Sequence, residues 1–153
     1  MYQTVIMAFD GTLEGRRALS EGADFVSRLG ATVHLLAVLR PPSGIALAEG
    51  VYPLDALKED QARLKAIVQE GVDLLKAQGV HPHGHIAFGD PVRQIARLAE
   101  LENADLVVVG HRRRGPLARW WQGSVGMSLL DQLHCSLLIA MKKQKEDQTP
   151  EPT

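Results

Sequence analysis

The chain has one cysteine and almost no net charge, and each shortage excludes a class of protein. Cys135 is the only cysteine among 153 residues, which excludes an intramolecular disulfide and any multi-cysteine zinc or iron–sulfur site. The formal net charge of −1 gives no electrostatic reason to expect nucleic acid or an anionic membrane as the main partner. A reducing, cytoplasmic compartment fits this composition.

Long apolar runs are also missing. No segment reaches the roughly 18 consecutive apolar residues of a transmembrane helix, so no membrane partner is expected. The first residues, MYQTVIMAFDGT, lack the basic region and cleavage site of a signal peptide and are typical of a strand. The length predicts one domain, over residues 1–142. Residues 143–153 are polar and show no periodicity, so they are expected to form a disordered tail.

Short apolar runs alternate with segments of helical periodicity along the whole domain. Such alternation predicts an α/β fold, a doubly wound parallel sheet of five strands with helices on both faces. The predicted strands are Thr4–Phe9, Ala31–Leu39, His83–Phe88, Leu106–Val109 and Ser136–Met141. The predicted helices run from Thr12 to Gly30, Asp55 to Gln78, Pro91 to Glu102 and Ser124 to Leu133.

The stretch LVVVGHRRRGPLARWWQGSVG, residues 106–126, has the layout of an anion-binding site. A buried strand ends in Gly110, a basic loop follows, and Gly123-Ser124 begins a helix whose unpaired N–H groups attract anions. Ligands of such sheets bind beyond the carboxyl ends of the strands, so Asp10 should face the Gly110 loop if the first and fourth strands are neighbours. A Walker-type site is excluded because Pro116-Leu117 replaces the required Lys-Ser/Thr.

With these motifs the chain resembles the universal stress protein family over about residues 3–142. The resemblance is carried by VIMAFDGT near the start, AFGDP at 87–91 and VVVGHRRRGPLARWWQGSVG at 107–126. It implies a Rossmann-like, adenine nucleotide alpha hydrolase-like sheet and a homodimer formed through the last strand, 136–141. In one branch of the family it also implies ATP or AMP, with Mg²⁺ beside a triphosphate, bound at G-x2-G-x9-G-S/T.

Carried over by position, that motif retains its first and last glycines but not its middle one. Gly110 and Gly123-Ser124 match, and Arg113 stands where the middle glycine is expected. A side chain there can block the approach of phosphates to the backbone, or its guanidinium can replace the lost donors with bidentate hydrogen bonds. The resemblance implies a nucleotide site made of Ala8, Phe9, Asp10, Val38, Val109, Gly110, His111, Arg112, Arg113, Gly123, Ser124, Val125 and Gly126.

In that site, Asp10 would contact the ribose and Val38 the adenine. The expected function is a regulatory stress protein without enzymatic activity, because no nucleophile and base are paired in the sequence. The alternative is the same fold without nucleotide, acting through protein partners that the sequence does not identify. Arg112, Arg113, Arg114 and Arg119 are interpreted as phosphate-facing or solvated side chains, because the flat net charge argues against nucleic acid.

His81, His83 and His85 alternate and would share one face of a strand, which is a form of metal-ligand spacing. The sequence shows no carboxylate or second cluster beside them, and no metal site is predicted. An enzyme that uses these histidines and a metal remains a third hypothesis. His34 is interpreted as a packed or edge histidine.

Overall fold

The computed structural model describes residues 1–11, 13–39, 54–110 and 129–140. The strands are β1 (Thr4–Phe9), β2 (Thr32–Leu39), β3 (His83–Phe88), β4 (Leu106–Gly110) and β5 (Ser136–Ala140). The helices are α1 (Leu13–Ser27), α2 (Leu54–Ala77), α3 (Pro91–Leu101) and α4 (Leu129–Gln132). The predicted helix residues 124–128, the cap at Thr12, Met141 and the tail lie outside the described residues.

All five strands form one parallel sheet in the order β3-β2-β1-β4-β5. Strand β1 lies at its centre, with Thr4 opposite Thr32 of β2 and Val5 opposite Leu106 of β4. The chain therefore moves outward from β1 to β3 on one side and continues on the other side with β4. This reversal between β1 and β4 is the topological switch point of a doubly wound, Rossmann-like fold, as predicted.

Both faces of the sheet are covered because neighbouring strand residues point to opposite sides. On one face, Val5 and Met7 of β1 pack in a core that includes Leu19 and Val26 of α1. On the other, Ile6 packs in a second core that contains apolar residues of α3 and Leu129 of α4. The continuous apolar runs of the central strands are thus explained by burial on two sides.

Helix α2 is amphipathic from Leu64 onward. It buries Leu64, Gly71 and Leu75 and exposes polar residues on the opposite side. A glycine at position 71 lets α2 pack closely against β2, because a Cβ at this position would lie 2.6 Å from Cδ2 of Leu35. Within the described ranges, no helix combines the length and apolar character that crossing a bilayer requires.

Helix α3 begins and ends at local signals in the sequence. The Asp90 carboxylate accepts a hydrogen bond of 3.1 Å from the backbone N–H of Arg93, and Pro91 occupies the first turn. At the other end, Asn103 adopts a left-handed conformation with φ 49° and donates to the Glu100 carbonyl at 3.2 Å. Ala104 donates to the Ala99 carbonyl at 2.8 Å, which completes a Schellman motif and fixes the backbone of Glu102.

The amino end of β1 is held by a side chain from the loop before β4. The Asp105 carboxylate accepts from the backbone N–H of Gln3 at 2.9 Å and of Thr4 at 3.1 Å. Backbone bonds from Asp105 to Thr4 and from Ser136 to Asp105 extend the contact across three strands. Asp105 therefore aligns β1, β4 and β5 at this edge.

Candidate functional site

The end of β1 and the end of β4 lie side by side at the carboxyl edge of the sheet. Met7 opposite Val108 is the last pair of their register, and β1 then continues to Phe9 and β4 to Gly110. Asp10 follows β1 directly, at the place where the chain order reverses. The predicted neighbourhood of the first and fourth strands is confirmed. That Asp10 faces the Gly110 loop stays a prediction, because the loop beyond Gly110 lies outside the described residues.

The described candidate residues divide between the two faces of this edge. Ala8, Val38 and Val109 pack with the core under α3, and Ala8 and Val38 are half-buried. Phe9 packs in the core under α1 and α2, and Gly110 approaches Ala18 of α1. Asp10 is half-buried beyond the end of the strand. The carboxyl edge therefore has two half-buried apolar side chains, Ala8 and Val38, on the α3 side, and the carboxylate of Asp10 directly after β1.

Two glycines at this edge are required by packing. Gly11 has φ +76°, a conformation that favours glycine, and a Cβ there would lie 3.0 Å from Cγ1 of Ile67. A Cβ at Gly110 would lie 2.6 Å from Cβ of Ala18. The backbone of β4 thus approaches α1 more closely than any larger residue allows, so Gly110 has a structural role whether or not a phosphate approaches it.

The phosphate side of the predicted site remains a prediction. His111, Arg112, Arg113, Gly123, Ser124, Val125 and Gly126 lie outside the described residues. The guanidinium of Arg16 in the first turns of α1 pairs with Glu70 of α2. The hydrogen bond from Arg16 lowers the pKa of the Glu70 carboxyl. Arg16 is therefore engaged between two helices.

A second group of polar side chains lies at the opposite, amino edge of the sheet, on the face covered by α3. Nδ1 of His34 is 2.8 Å from Nε2 of His85, and Nε2 of His34 is 3.5 Å from a carboxylate oxygen of Glu102. The His83 ring centroid is 5.2 Å from that of His34. Burial lowers the pKa of His34, and the nearby Glu102 opposes this shift.

Sequence reasoning found only part of this group. His83 and His85 do share a face of β3, but the strand begins at His83, so His81 precedes it and is exposed. His34 is buried, with 7% of its surface exposed, as expected for a packed histidine. The carboxylate that the sequence did not place beside the histidines is Glu102. Glu102 could not be placed beside the histidines from the sequence, because its position depends on the strand order and on where α3 ends.

A groove of about 590 Å³ also lies at the amino edge, away from the candidate nucleotide site. Tyr2, Asp105 and Cys135 are among its lining residues. The Asp105 carboxylate is already bonded to the backbone of β1, and burial raises the pKa of the Cys135 thiol. A thiol that stays protonated is a poor nucleophile, so this groove offers no activated group.

Comparison with known proteins identifies the family of the chain. A model of the universal stress protein family matches residues 1–140. The chain belongs to the universal stress protein family. This universal stress protein is 28% identical over 150 residues to one from Methanocaldococcus jannaschii, covering 95% of this chain and 86% of the relative.

Solved structures of the family share the fold. One universal stress protein, crystallised in complex with cAMP, has a TM-score of 0.67 at 26% identity, covering 92% of this chain and 97% of that one. A universal stress protein from Archaeoglobus fulgidus, solved in complex with dAMP, has a TM-score of 0.62 at 18% identity, covering 90% and 97%. Both of those proteins were therefore solved with an adenine nucleotide.

Proposed function

We propose that this universal stress protein binds an adenine nucleotide, ATP or AMP, at the carboxyl edge of β1 and β4. The observation that carries the proposal is the position of Asp10 at the switch point, beside Gly110 at the end of the neighbouring strand. Open α/β sheets bind their ligands at this point, because the loops there diverge and leave a crevice. The cAMP complex of a relative at 26% identity supports the same class of ligand.

The proposal divides the nucleotide among the candidate residues. The Asp10 carboxylate accepts hydrogen bonds from the ribose hydroxyls, and the backbone of Val38 at the end of β2 contacts the adenine. Gly110, Arg113, Gly123, Ser124 and Val125 form the phosphate side, with Mg²⁺ when a triphosphate is bound. Ala8 and Val38 are half-buried and supply apolar contact for the base.

The proposed activity is regulatory. Among the described residues of the carboxyl edge, no nucleophile is paired with a general base, so binding rather than turnover is the expected consequence. The bound nucleotide alters the surface that a dimer or another protein contacts. The proposed dimer forms through β5, the outer strand on that side of the sheet, and the proposed compartment is the cytoplasm.

Isothermal titration calorimetry with ATP and AMP, with and without Mg²⁺, tests the proposal. Asp10→Asn keeps the size of the side chain but removes its charge, and we expect at least a tenfold loss of affinity, since hydrogen bonds to charged groups contribute about 1.5–3 kcal/mol. Asp73→Asn is the matched control, because Asp73 is exposed on α2. The absence of heat at millimolar nucleotide would reject binding and favour action through protein partners alone.

A further inference from the structure

The side chains of His34, His85 and Glu102 form a compact cluster that the nucleotide proposal does not use. They come from three different elements: β2, β3 and the carboxyl end of α3. One ligand atom from each lies within 4.8 Å of the other two. The cluster is at the amino edge of the sheet, and His34 and Val38 on β2 are separated by roughly 13 Å at about 3.3 Å per residue. It is therefore separate from the carboxyl edge.

The spacing of the cluster is close to that of a metal site. Metal–nitrogen and metal–oxygen bonds of about 2.0–2.2 Å place tetrahedral ligand atoms roughly 3.3–3.6 Å apart. The 2.8 Å contact between Nδ1 of His34 and Nε2 of His85 is shorter than this range, and the 3.5 Å contact between Nε2 of His34 and Glu102 falls within it. These contacts use opposite ring nitrogens, so one ion takes a single nitrogen of His34, with the ligand atoms of the three residues within 4.8 Å of one another. The Glu102 side chain is 36% exposed, so it can change rotamer without disturbing the core.

The surrounding structure favours a cation here. The last carbonyls of α3 carry the negative end of the helix dipole, and the Schellman motif fixes Glu102 at that end. His34 is buried and presents a ring nitrogen on each side. His83 stands opposite His34 in the register, within reach of a fourth coordination position.

We propose that His34, His85 and Glu102 bind one divalent transition-metal ion, with His83 or water as the fourth ligand. Imidazole nitrogens and a carboxylate oxygen are the ligand set of Zn²⁺ and of its neighbours in the first transition row. The ion joins β2, β3 and α3, so it links the outer strand of the sheet to the helix that covers it. Because it binds the folded arrangement, it stabilises the fold in proportion to its affinity.

The experiment uses the full chain, first dialysed against a chelator and then titrated with Zn²⁺ in the absence of nucleotide. We compare the wild type with His85→Ala, Glu102→Gln and His81→Ala. His81→Ala is the matched control, since this histidine is exposed and precedes β3. Glu102→Gln keeps the test valid if His85→Ala fails to fold, because residue 102 lies partly at the surface and glutamine has nearly the size of glutamate.

The expected result is one equivalent of Zn²⁺ in the wild type and in His81→Ala, with at least tenfold weaker binding in His85→Ala and Glu102→Gln. Zn²⁺ should raise the Tm of the first two proteins and leave that of Glu102→Gln nearly unchanged. Replacement by Co²⁺ should give visible absorption from nitrogen and oxygen ligands. The proposal is overturned if the wild type binds no Zn²⁺, or if His81→Ala loses it as fully as His85→Ala does. Without nucleotide in the cell, neither outcome depends on the proposed function.

Discussion

A Cβ on Gly110 would lie 2.6 Å from the Cβ of Ala18. The end of β4 can therefore pack this closely against α1 only because residue 110 has no side chain. In the proposed nucleotide site Gly110 contacts the phosphates, and packing alone already requires a glycine at this position. A substitution at this position therefore changes two properties, which have to be measured separately.

Gly110→Ala should lower the free energy of unfolding by about 1–3 kcal/mol, the usual cost of overpacking. Ala18→Gly removes the opposing methyl group, at a helix-propensity cost of about 1 kcal/mol. The double variant should therefore be more stable than Gly110→Ala alone when measured by urea unfolding. ATP affinity should recover together with stability if it depends on Gly110 only through packing, because the added Cβ points at α1. A double variant that regains stability but not ATP affinity would show that Gly110 also contacts the nucleotide directly.

Arg113→Gly restores the glycine of the family motif and tests what the arginine does. If its guanidinium binds phosphates, the variant should bind ATP roughly tenfold to a hundredfold more weakly, the equivalent of a charge-assisted hydrogen bond. Adenosine, which lacks phosphates, is the matched ligand and should bind both proteins equally. Calorimetry with the two ligands separates these effects. Tighter ATP binding by Arg113→Gly would show that the arginine obstructs the site.

Asp105→Ala should destabilise the amino edge of the sheet by about 1–2 kcal/mol, because the N–H groups of Gln3 and Thr4 lose their charged acceptor. Asp105→Asn keeps one acceptor oxygen, so its free energy of unfolding should fall by less. Urea unfolding followed by far-UV circular dichroism measures both values. Equal stability of Asp105→Ala and the wild type would mean that water replaces the carboxylate at no cost.

The stability of the protein should fall as the pH rises through the alkaline range. Burial, assisted by the negative charge of Asp105, raises the pKa of Cys135 above its ordinary value of 9.0. Below the pKa that the thiol has in the unfolded chain, both states keep the proton and this contribution to the free energy of unfolding is fully present. Above it the unfolded chain loses a proton that the folded chain retains, so stability declines until the folded pKa is passed. Cys135→Ala should remove this part of the pH dependence in urea unfolding at pH 7 and pH 10. An unchanged slope in that variant would exclude the thiol as its source.

The proposed dimer predicts a defined response to substitutions in β5. Ser136 donates its N–H to the Asp105 carbonyl at 3.2 Å, so alternation along the strand turns the N–H of Leu137 and Ile139 toward the outer edge. Ile139→Pro removes one of these outward donors, and Ser136→Lys adds a charge at an exposed position of the edge. Light scattering coupled to size exclusion should give twice the 16.7 kDa chain mass for the wild type and a lower mass for both variants. A monomeric wild type would reject the dimer.

Most of the fold could be predicted because its signals are local. Gly30 and Gly79 both have positive φ and follow α1 and α2, within two or three residues of the helix ends. Asp90 and Pro91 begin α3 in the way that their chemistry predicts. The predicted strands differ from the observed ones by one residue at most, because continuous apolar runs end where the chain leaves the sheet.

The relationships that could not be predicted connect distant parts of the chain. His34 and Glu102 meet only because β2 lies beside β1 and α3 ends above its amino end. Likewise, no periodicity in the sequence shows that Gly110 touches Ala18. The family motif explained Gly110 by a phosphate contact alone, and the structure adds its close packing against Ala18.

The position of β1 at the centre of the sheet has a consequence for synthesis of the protein. Strands β1, β2 and β3 precede β4 in the chain and are neighbours in the sheet, so all three leave the ribosome before β4 does. Until then, one edge of β1 has no strand beside it, and the carboxylate that holds its amino end is still 101 residues away in sequence. The nascent half-sheet therefore exposes an apolar edge, and its protection depends on how quickly the second half emerges and docks.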